Sequence, residues 1–255
     1  LPRLAFQTQF VGAKFCGSQK QSNARSVQEE LEKAFSIFFK EKIIVTLSSR
    51  VDSGVHARGM IGHCDVSELP QLSEHELCRH LNGILPNDVA VLKLKEVPSS
   101  FHSRRDAIER SYVYKLRAYS QKHPLDESQV VHIASSLKLE SLQKMASSLI
   151  GEHDFTGLSK PADYKTRPIC KINECFWTQN FEDGLFMFKI SADHFLYNMV
   201  RIIIGTQIAI ENGKLSSDCL EKALRLKDRS YAGFTAPAEG LCLEAVKYPY
   251  NLFSS

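Results

Sequence analysis

Two α+β halves meeting along a cleft is the architecture this sequence predicts, and three observations predict it. The chain has 255 residues, comfortable for two α/β-type halves and long for one compact core. Alternating apolar–polar stretches that read as strands are interleaved with segments of helical periodicity. In the first hundred residues these fall in the order strand, helix, two strands, helix, strand, which is that of a ferredoxin-like unit with an antiparallel sheet. The second half repeats the pattern loosely.

Residues 4–10 alternate and form the first strand. Residues 23–39 follow as a helix, with Val27, Leu31, Ala34, Phe35 and Phe38 on one face and Ser26 and Glu29 as an S-x-x-E capping box. Residues 42–47 and 60–66 are strands around a turn-rich segment, 48–58. A second capping box, Ser73 with Glu76, opens a short helix to about residue 82, and 89–97 is another strand. In the second half, 111–117 is a strand and 139–150 an amphipathic helix. Residues 172–179 and 185–192 are strands joined by the turn-forming Phe181-Glu-Asp-Gly. Residues 194–211 read as a long, mostly apolar helix, 217–225 as a shorter one, and 241–247 as a closing strand. The expected domains are 1–100 and 101–255, with the boundary near 98–106.

Composition bounds the function. The chain carries 32 Lys plus Arg against 29 Asp plus Glu, a formal charge of +3, with 43% hydrophobic and 24% charged residues. That is ordinary globular composition and argues against a disordered chain or a histone-like polybasic binder. The small total conceals a cancellation. Residues 99–122 hold Arg104, Arg105, Arg110, Lys115, Arg117 and Lys122 against Asp106 and Glu109, whereas residues 62–76 hold Asp65, Glu68, Glu74 and Glu76 with no Lys or Arg. The longest apolar run, 199–210, is interrupted by Arg201 and Gln207 and falls short of the ~20 residues needed to cross a bilayer. Seven cysteines without a C-x-x-C pair suggest free thiols in an intracellular reducing compartment. Cys170 and Cys175, with His153 upstream, fit no common zinc spacing and alternate with apolar residues as buried strand thiols do. The chain opens at Leu1, so a trimmed or processed product is expected.

The segment Ser48-Ser-Arg-Val-Asp-Ser-Gly-Val-His-Ala57 is the most unusual. It follows a strand, is dense in polar groups, and contains Gly54, which permits a positive φ. Arg50 and Asp52, two apart, share one side of an extended backbone. Such a pair keeps a carboxylate ionised, as a nucleophile or base requires. Taken alone, the spacing favours an ordinary surface turn with an exposed ion pair. Arg201, a lone charge in an apolar stretch, needs a partner or a solvent-facing side.

Ser-Arg-Val-Asp-Ser-Gly-Val-His-Ala resembles the G-R-T-D-A-G-V-H-A signature of the TruA family of tRNA pseudouridine synthases. Five further blocks resemble the family in order. Gly17-Ser-Gln-Lys-Gln-Ser-Asn-Ala-Arg-Ser-Val-Gln-Glu-Glu-Leu-Glu-Lys-Ala34 is similar to G-W-Q-x-Q-x-n-x-x-T-V-Q-x-x-L-E-x-A-L. Phe101-His-Ser-Arg104 and Arg110-Ser-Tyr-Val-Tyr114 are similar to F-H-A-R and R-x-Y-x-Y. Gly151-Glu-His-Asp-Phe155, Phe195-Leu-Tyr-Asn-Met-Val-Arg201 with Gly205, and Thr235-Ala-Pro-Ala-Glu-Gly-Leu241 resemble G-x-H-D-F, F-L-x-x-M-V-R-x-x-x-G and T-A-P-A-x-G-L. Together they span about residues 10 to 248.

The resemblance implies two RRM-like halves whose sheets join around a central catalytic cleft, usually in a homodimer, and a tRNA substrate. The reaction it implies detaches uracil from ribose C1′, rotates it and rejoins it through C5, without metal or organic cofactor. The well-known bacterial members act at tRNA positions 38 to 40, in the anticodon stem-loop. On this resemblance Asp52 is the catalytic carboxylate, suited to attack at uracil C6 or at ribose C1′, and Arg50 holds it ionised and oriented. Tyr112 stacks on the uracil and helps remove the C5 proton, Leu241 lines the opposite wall, and Arg201 pairs with Asp52 or contacts a phosphate. Lys20, His56, Arg104, Arg105 and Arg110 are RNA-contact candidates, as are Lys160, Lys165, Arg167 and Lys171 in a basic loop. Tyr114 reads as core. Val51, Ser53, Ser18 and Asn198 stand where the family pattern has Thr, Ala, Trp and often His. The many cysteines and loose motifs point to a eukaryotic or organellar relative. The rival reading is a non-catalytic RNA-binding relative, although Arg50, Asp52, Tyr112 and Arg201 are all present. A small-molecule enzyme on the same scaffold finds no phosphate-binding glycine loop, nucleotide fingerprint or metal cluster to support it.

Overall fold

The computed structural model describes residues 1–22, 24–118, 128–161, 167–180, 182 and 184–253. The chain divides into two compact units. Unit 1 comprises Leu1–Ile108 and Cys242–Ser255, and unit 2 comprises Glu109–Leu241. The linear division at residue 100 places the last strand in the second half; from Cys242 onward it belongs instead to the first unit.

Unit 1 contains β1 (Arg3–Phe10), α1 (Val27–Phe39), β2 (Thr46–Leu47), β3 (His56–Asp65), α2 (Glu74–Ile84), β4 (Val89–Val97) and β10 (Leu241–Lys247), the last entering at Cys242. Its strands run in the order β4-β1-β3-β10, with β2 on β3. The β1–β3, β1–β4 and β2–β3 pairs are antiparallel, but β10 runs parallel to β3. The expected purely antiparallel sheet is therefore a mixed one. A parallel neighbour so far away in sequence leaves no local turn signal. Ser26 caps α1 through Glu29 N–H, and α2 has the complete Ser73–Glu76 capping box. Val27, Leu31, Ala34 and Phe35 are buried from α1, and Phe35 packs on Phe6 of β1 at 5.0 Å between ring centroids.

The strand expected over 42–47 shrinks to two residues because α1 claims its backbone. Ile43 N–H donates to Ser36 Oγ and Val45 N–H to Glu32 Oε1. The Phe101–Arg104 loop is anchored by a cluster of Ala5, Ile61, Val97, Phe101, Tyr248 and Leu252. Tyr248 donates its hydroxyl to Ser103 O, and Ser103 Oγ donates to Thr46 O.

Unit 2 contains β5 (Glu109–Ala118), β6 (Val131–Ile133), α3 (Leu139–Ser147), β7 (Gly151–Asp154), β8 (Ile169–Asn180), β9 (Leu185–Ala192), α4 (Met199–Glu211) and α5 (Cys219–Leu226). Its order is β5-β9-β8-β7, all antiparallel, with the short β6 parallel to β5. Strands β6 and β7 are too short for the alternation pattern to register. The turn expected at 181–184 falls partly outside the described residues.

The helix expected from residue 194 begins only at Met199. Asn198 adopts the left-handed conformation (φ +58°), which a continuing helix does not allow. The preceding residues are held elsewhere: Asp193 Oδ1 accepts from Lys171 N–H and His194 N–H, and Tyr197 O accepts from Lys160 N–H. Within α4, the polar Gln207 is fully buried and its Oε1 accepts from Trp177 Nε1 at 2.8 Å, which satisfies the indole N–H in an apolar core and leaves Gln207 Nε2 without a hydrogen-bond partner. Among the described residues no helix is long and apolar enough to cross a membrane.

Candidate active site

In unit 1 the segment 48–55 connects β2 to β3 without regular structure, so its shape rests on specific hydrogen bonds. Asp52 O accepts from Val55 N–H at 3.2 Å, closing a tight turn whose third residue, Gly54, has φ +81°. Such a turn needs glycine there. A second stretch, residues 12–18, clasps the first. Phe15 O accepts from Gly54 N–H at 3.3 Å and from Ser53 Oγ at 3.1 Å. Ser18 meets Val51 twice: its N–H donates to Val51 O at 3.2 Å, and its hydroxyl accepts from Val51 N–H at 3.0 Å. The same hydroxyl donates to Ser49 O at 3.3 Å. Gly12 N–H donates to His56 Nδ1 at 3.1 Å. A Cβ on Gly12 would lie 2.0 Å from Val55 O, so the two backbones touch at that point.

Burial alternates along the loop: Arg50 is exposed, Val51 buried and Asp52 half-buried. Val51 is thus pinned by both backbone groups, with the two charged side chains on either side of it. His56 is only 4% exposed and its Nδ1 serves Gly12.

The clasp has its own anchor, Arg25. Its guanidinium forms a two-pronged pair with Asp88 (2.8 and 2.9 Å), binds Glu30, and lies 4.3 Å over the Phe15 ring. The pairing holds the Asp88 carboxyl below its usual range and raises Arg25. Spacing does not separate Arg25 and Ser18 from their neighbours, because Asp88 lies 63 residues from Arg25 and Val51 lies 33 from Ser18.

Lys20 reaches Glu32 at 3.1 Å and keeps 55% of its side chain exposed. Arg104 Nε donates to Leu47 O at 3.3 Å, at the root of the loop, and Arg105 is exposed. His63 packs 4.9 Å from the His102 ring, and burial, with the charges of Arg3 and His102 adding to it, lowers its pKa to about 4.

In unit 2, Tyr112 sits on β5 opposite Ile190 of β9, buried, with Phe195 edge-on at 5.2 Å. Arg110 precedes it and donates to Asp193 O at 2.8 Å. Tyr114 is fully buried, and burial pushes its phenol well above the ordinary range. Arg201, in the first turn of α4, pairs with Ala236 in both directions: Nε donates to Ala236 O at 2.7 Å, and Ala236 N–H donates to Arg201 O at 3.0 Å. Arg201 therefore orders the 235–241 segment that ends at the buried Leu241. A Cβ on Gly205 would lie 1.9 Å from Phe234 O, so α4 touches the backbone just before this segment.

Arg117 is 6% exposed, so the basic run of 99–122 is not all surface charge. Lys122 and Lys165 lie outside the described residues, and Lys160, Arg167 and Lys171 are exposed. Cys170 and Cys175 are buried thiols, Cys170 pushed up to about 12 by burial and Cys175 higher still. Among the described residues no cluster of three or more His, Cys, Asp or Glu could hold a metal ion.

A mixed α+β fold presenting a carboxylate on a clasped polar loop defines a class, and the comparisons name it. The family model described as tRNA pseudouridine synthase matches residues 7–105 and 145–249. The chain is 38% identical to tRNA pseudouridine synthase A of Porphyromonas gingivalis, over 96% of each chain. It is 38% identical to the Bacillus subtilis protein of that name, over 96% of this chain and 99% of the relative. The Clostridium kluyveri protein is 37% identical over 94% and 97%. All three relatives are bacterial. This chain belongs to the tRNA pseudouridine synthase family.

Proposed function

We propose that this chain isomerises uridine to pseudouridine in tRNA, at positions 38 to 40 of the anticodon stem-loop or nearby, with Asp52 as the catalytic carboxylate. The observation that carries the reading is the clasped loop: Asp52 stands beside a residue tied through both its N–H and its C=O, inside the stretch the family model matches. A carboxylate held on a fixed backbone can attack and leave again without reorganising its support.

We assign Arg50, two residues before Asp52, to orienting the carboxylate. Tyr112 offers a ring edge-packed against Phe195 to the uracil and a hydroxyl to the C5 proton, with Leu241 as an apolar wall. Arg201 is assigned to ordering the Ala236 segment, and in this reading it meets an RNA phosphate only after tRNA binds. The bond from C1′ to uracil N1 breaks, the base turns, C5 bonds to C1′, and the C5 proton moves to N1 through a general base. The base must first leave the RNA stack, at a cost of a few kcal/mol. Lys20, Arg104, Arg105 and Arg110 are the proposed phosphate contacts. We assign His56 to holding the loop, since its buried Nδ1 accepts from Gly12. A homodimer, a reducing compartment and independence from added cofactors complete the reading; the resemblance supports the first and third, and seven free cysteines suit the second.

The test is a pseudouridine map of unmodified tRNA transcripts incubated with the protein and a chelator. The expected result is product at one to three anticodon-stem uridines. Binding without product across a broad RNA panel would establish the non-catalytic alternative instead.

A further inference from the structure

We propose that Ser18 is a positioning residue for Asp52, its hydroxyl setting the backbone that carries the carboxylate. The inference rests on the reading of Asp52 given above.

Ser18 has no exposed surface. Its hydroxyl uses its donor on Ser49 O and a lone pair on Val51 N–H. These two partners straddle Arg50, so one oxygen fixes the chain on both sides of that residue and immediately before Asp52. The main chain of Ser18 adds a third bond, N–H to Val51 O. In a sheet ladder a carbonyl would accept from Val51; here a side chain takes that place.

Ser18 is itself tied to a rigid element. Its carbonyl accepts from Gln28 N–H at 3.0 Å, and Gly17 O accepts from Val27 N–H at 3.4 Å, both in the first turn of α1. That helix is seated by Val27, Leu31, Ala34 and Phe35 in the core. One path from core to carboxylate thus runs α1, Ser18, Val51, Asp52, and the Ser18 hydroxyl is a side-chain link in it. Ser53 makes a further tie to Phe15 O, but it is an exposed residue; water can replace its bond, whereas nothing replaces a bond at a site sealed from solvent.

Removing the hydroxyl leaves Val51 N–H and Ser49 O without that partner, while the Ser18 N–H bond keeps the loop docked. The carboxylate then drifts on a folded protein. Displacements of about 1 Å at reacting atoms cost on the order of 100-fold in rate.

The experiment compares wild type, Ser18→Ala and Ser18→Cys, which keeps the shape of the side chain with a slightly larger sulfur that is a weak donor and acceptor. Each is assayed by single-turnover pseudouridine formation at saturating enzyme, by tRNA affinity, and by hydrogen exchange at the Val51 amide. The expected result is a rate at least about tenfold lower in both variants, affinity within about twofold, and faster exchange at Val51 while α2 amides are unchanged. If Ser18→Ala does not fold, Ser18→Cys alone decides. A Ser18→Cys rate within twofold of wild type overturns the inference, as does a rate loss matched by an affinity loss. A wild-type protein that makes no product sinks the functional reading itself, whereas an active wild type with an unaffected Ser18→Cys sinks only the role of Ser18.

Discussion

The two groups that matter most for the proposed chemistry are held by opposite means. Asp52 rides on irregular backbone, and its position depends on bonds from residues 12–18: the Ser18 hydroxyl, the Phe15 carbonyl and the touching backbone at Gly12. Tyr112 rides in the middle of β5, where the ladder to β9 and the edge-on Phe195 ring fix it. Strand register positions a side chain through many equivalent bonds, so losing one is shared among the rest. A clasped loop rests on individual bonds, each different from the next. Its reward is a polar, half-buried carboxylate that regular strand geometry on a buried face would exclude.

The largest effect that sharpens this contrast is at the carboxylate itself. Asp52→Asn should lower product formation by more than about 1,000-fold, since an amide is neither nucleophile nor base. Tyr112→Leu should cost about 100-fold, in the range of a lost general base or stacking partner; activity within threefold of wild type would remove Tyr112 from the chemistry.

Next come the two backbone contacts. Gly12→Ala and Gly205→Ala each force a methyl to within about 2 Å of a carbonyl oxygen. Overpacking of this kind costs about 1–3 kcal/mol, readable as a lower denaturation midpoint. Gly12→Ala should also lose more activity than stability explains, because it moves Val55 and the Asp52 turn. Equal activity losses in the two variants, in proportion to stability, would show that the Asp52 loop is no more sensitive than a packed helix contact.

The smallest effect is a slope. His63 has a pKa of about 4 in the folded protein against about 6.5 in an unfolded chain. Between those values the unfolded state binds the extra proton, so stability rises with pH from about 4 to 6.5 and is flat in this respect above. At pH 5 the deficit is about 2 kcal/mol. His63→Gln should flatten that part of the profile in thermal melts at matched ionic strength; an unchanged slope would mean that another group titrates there.

How much of this was legible in the sequence follows from the range of the forces involved. The strands Val89–Val97, Leu185–Ala192 and Leu241–Lys247 end where alternation ends, because their patterning is local. Both capping serines lie where their S-x-x-E spacing puts them. What escaped is long-range. The parallel placement of β10 on β3 joins residues 186 apart, as Leu243 opposite Ala57 shows. The late start of α4 depends on Lys160 and Lys171 capturing the residues before Asn198. At the candidate site, Arg50, Asp52 and Gly54 could be singled out from polarity and turn chemistry. Ser18 could be noticed only as a departure from a family pattern. Its function as a clasp lies in a pairing 33 residues away, which no periodicity encodes.

The most direct test measures single-turnover pseudouridine formation by Asp52→Asn on the tRNA uridine that the wild-type protein modifies, with tRNA affinity determined alongside. The account predicts product at least about 1,000-fold slower and affinity within about threefold of wild type. Product at the wild-type rate from Asp52→Asn would contradict it.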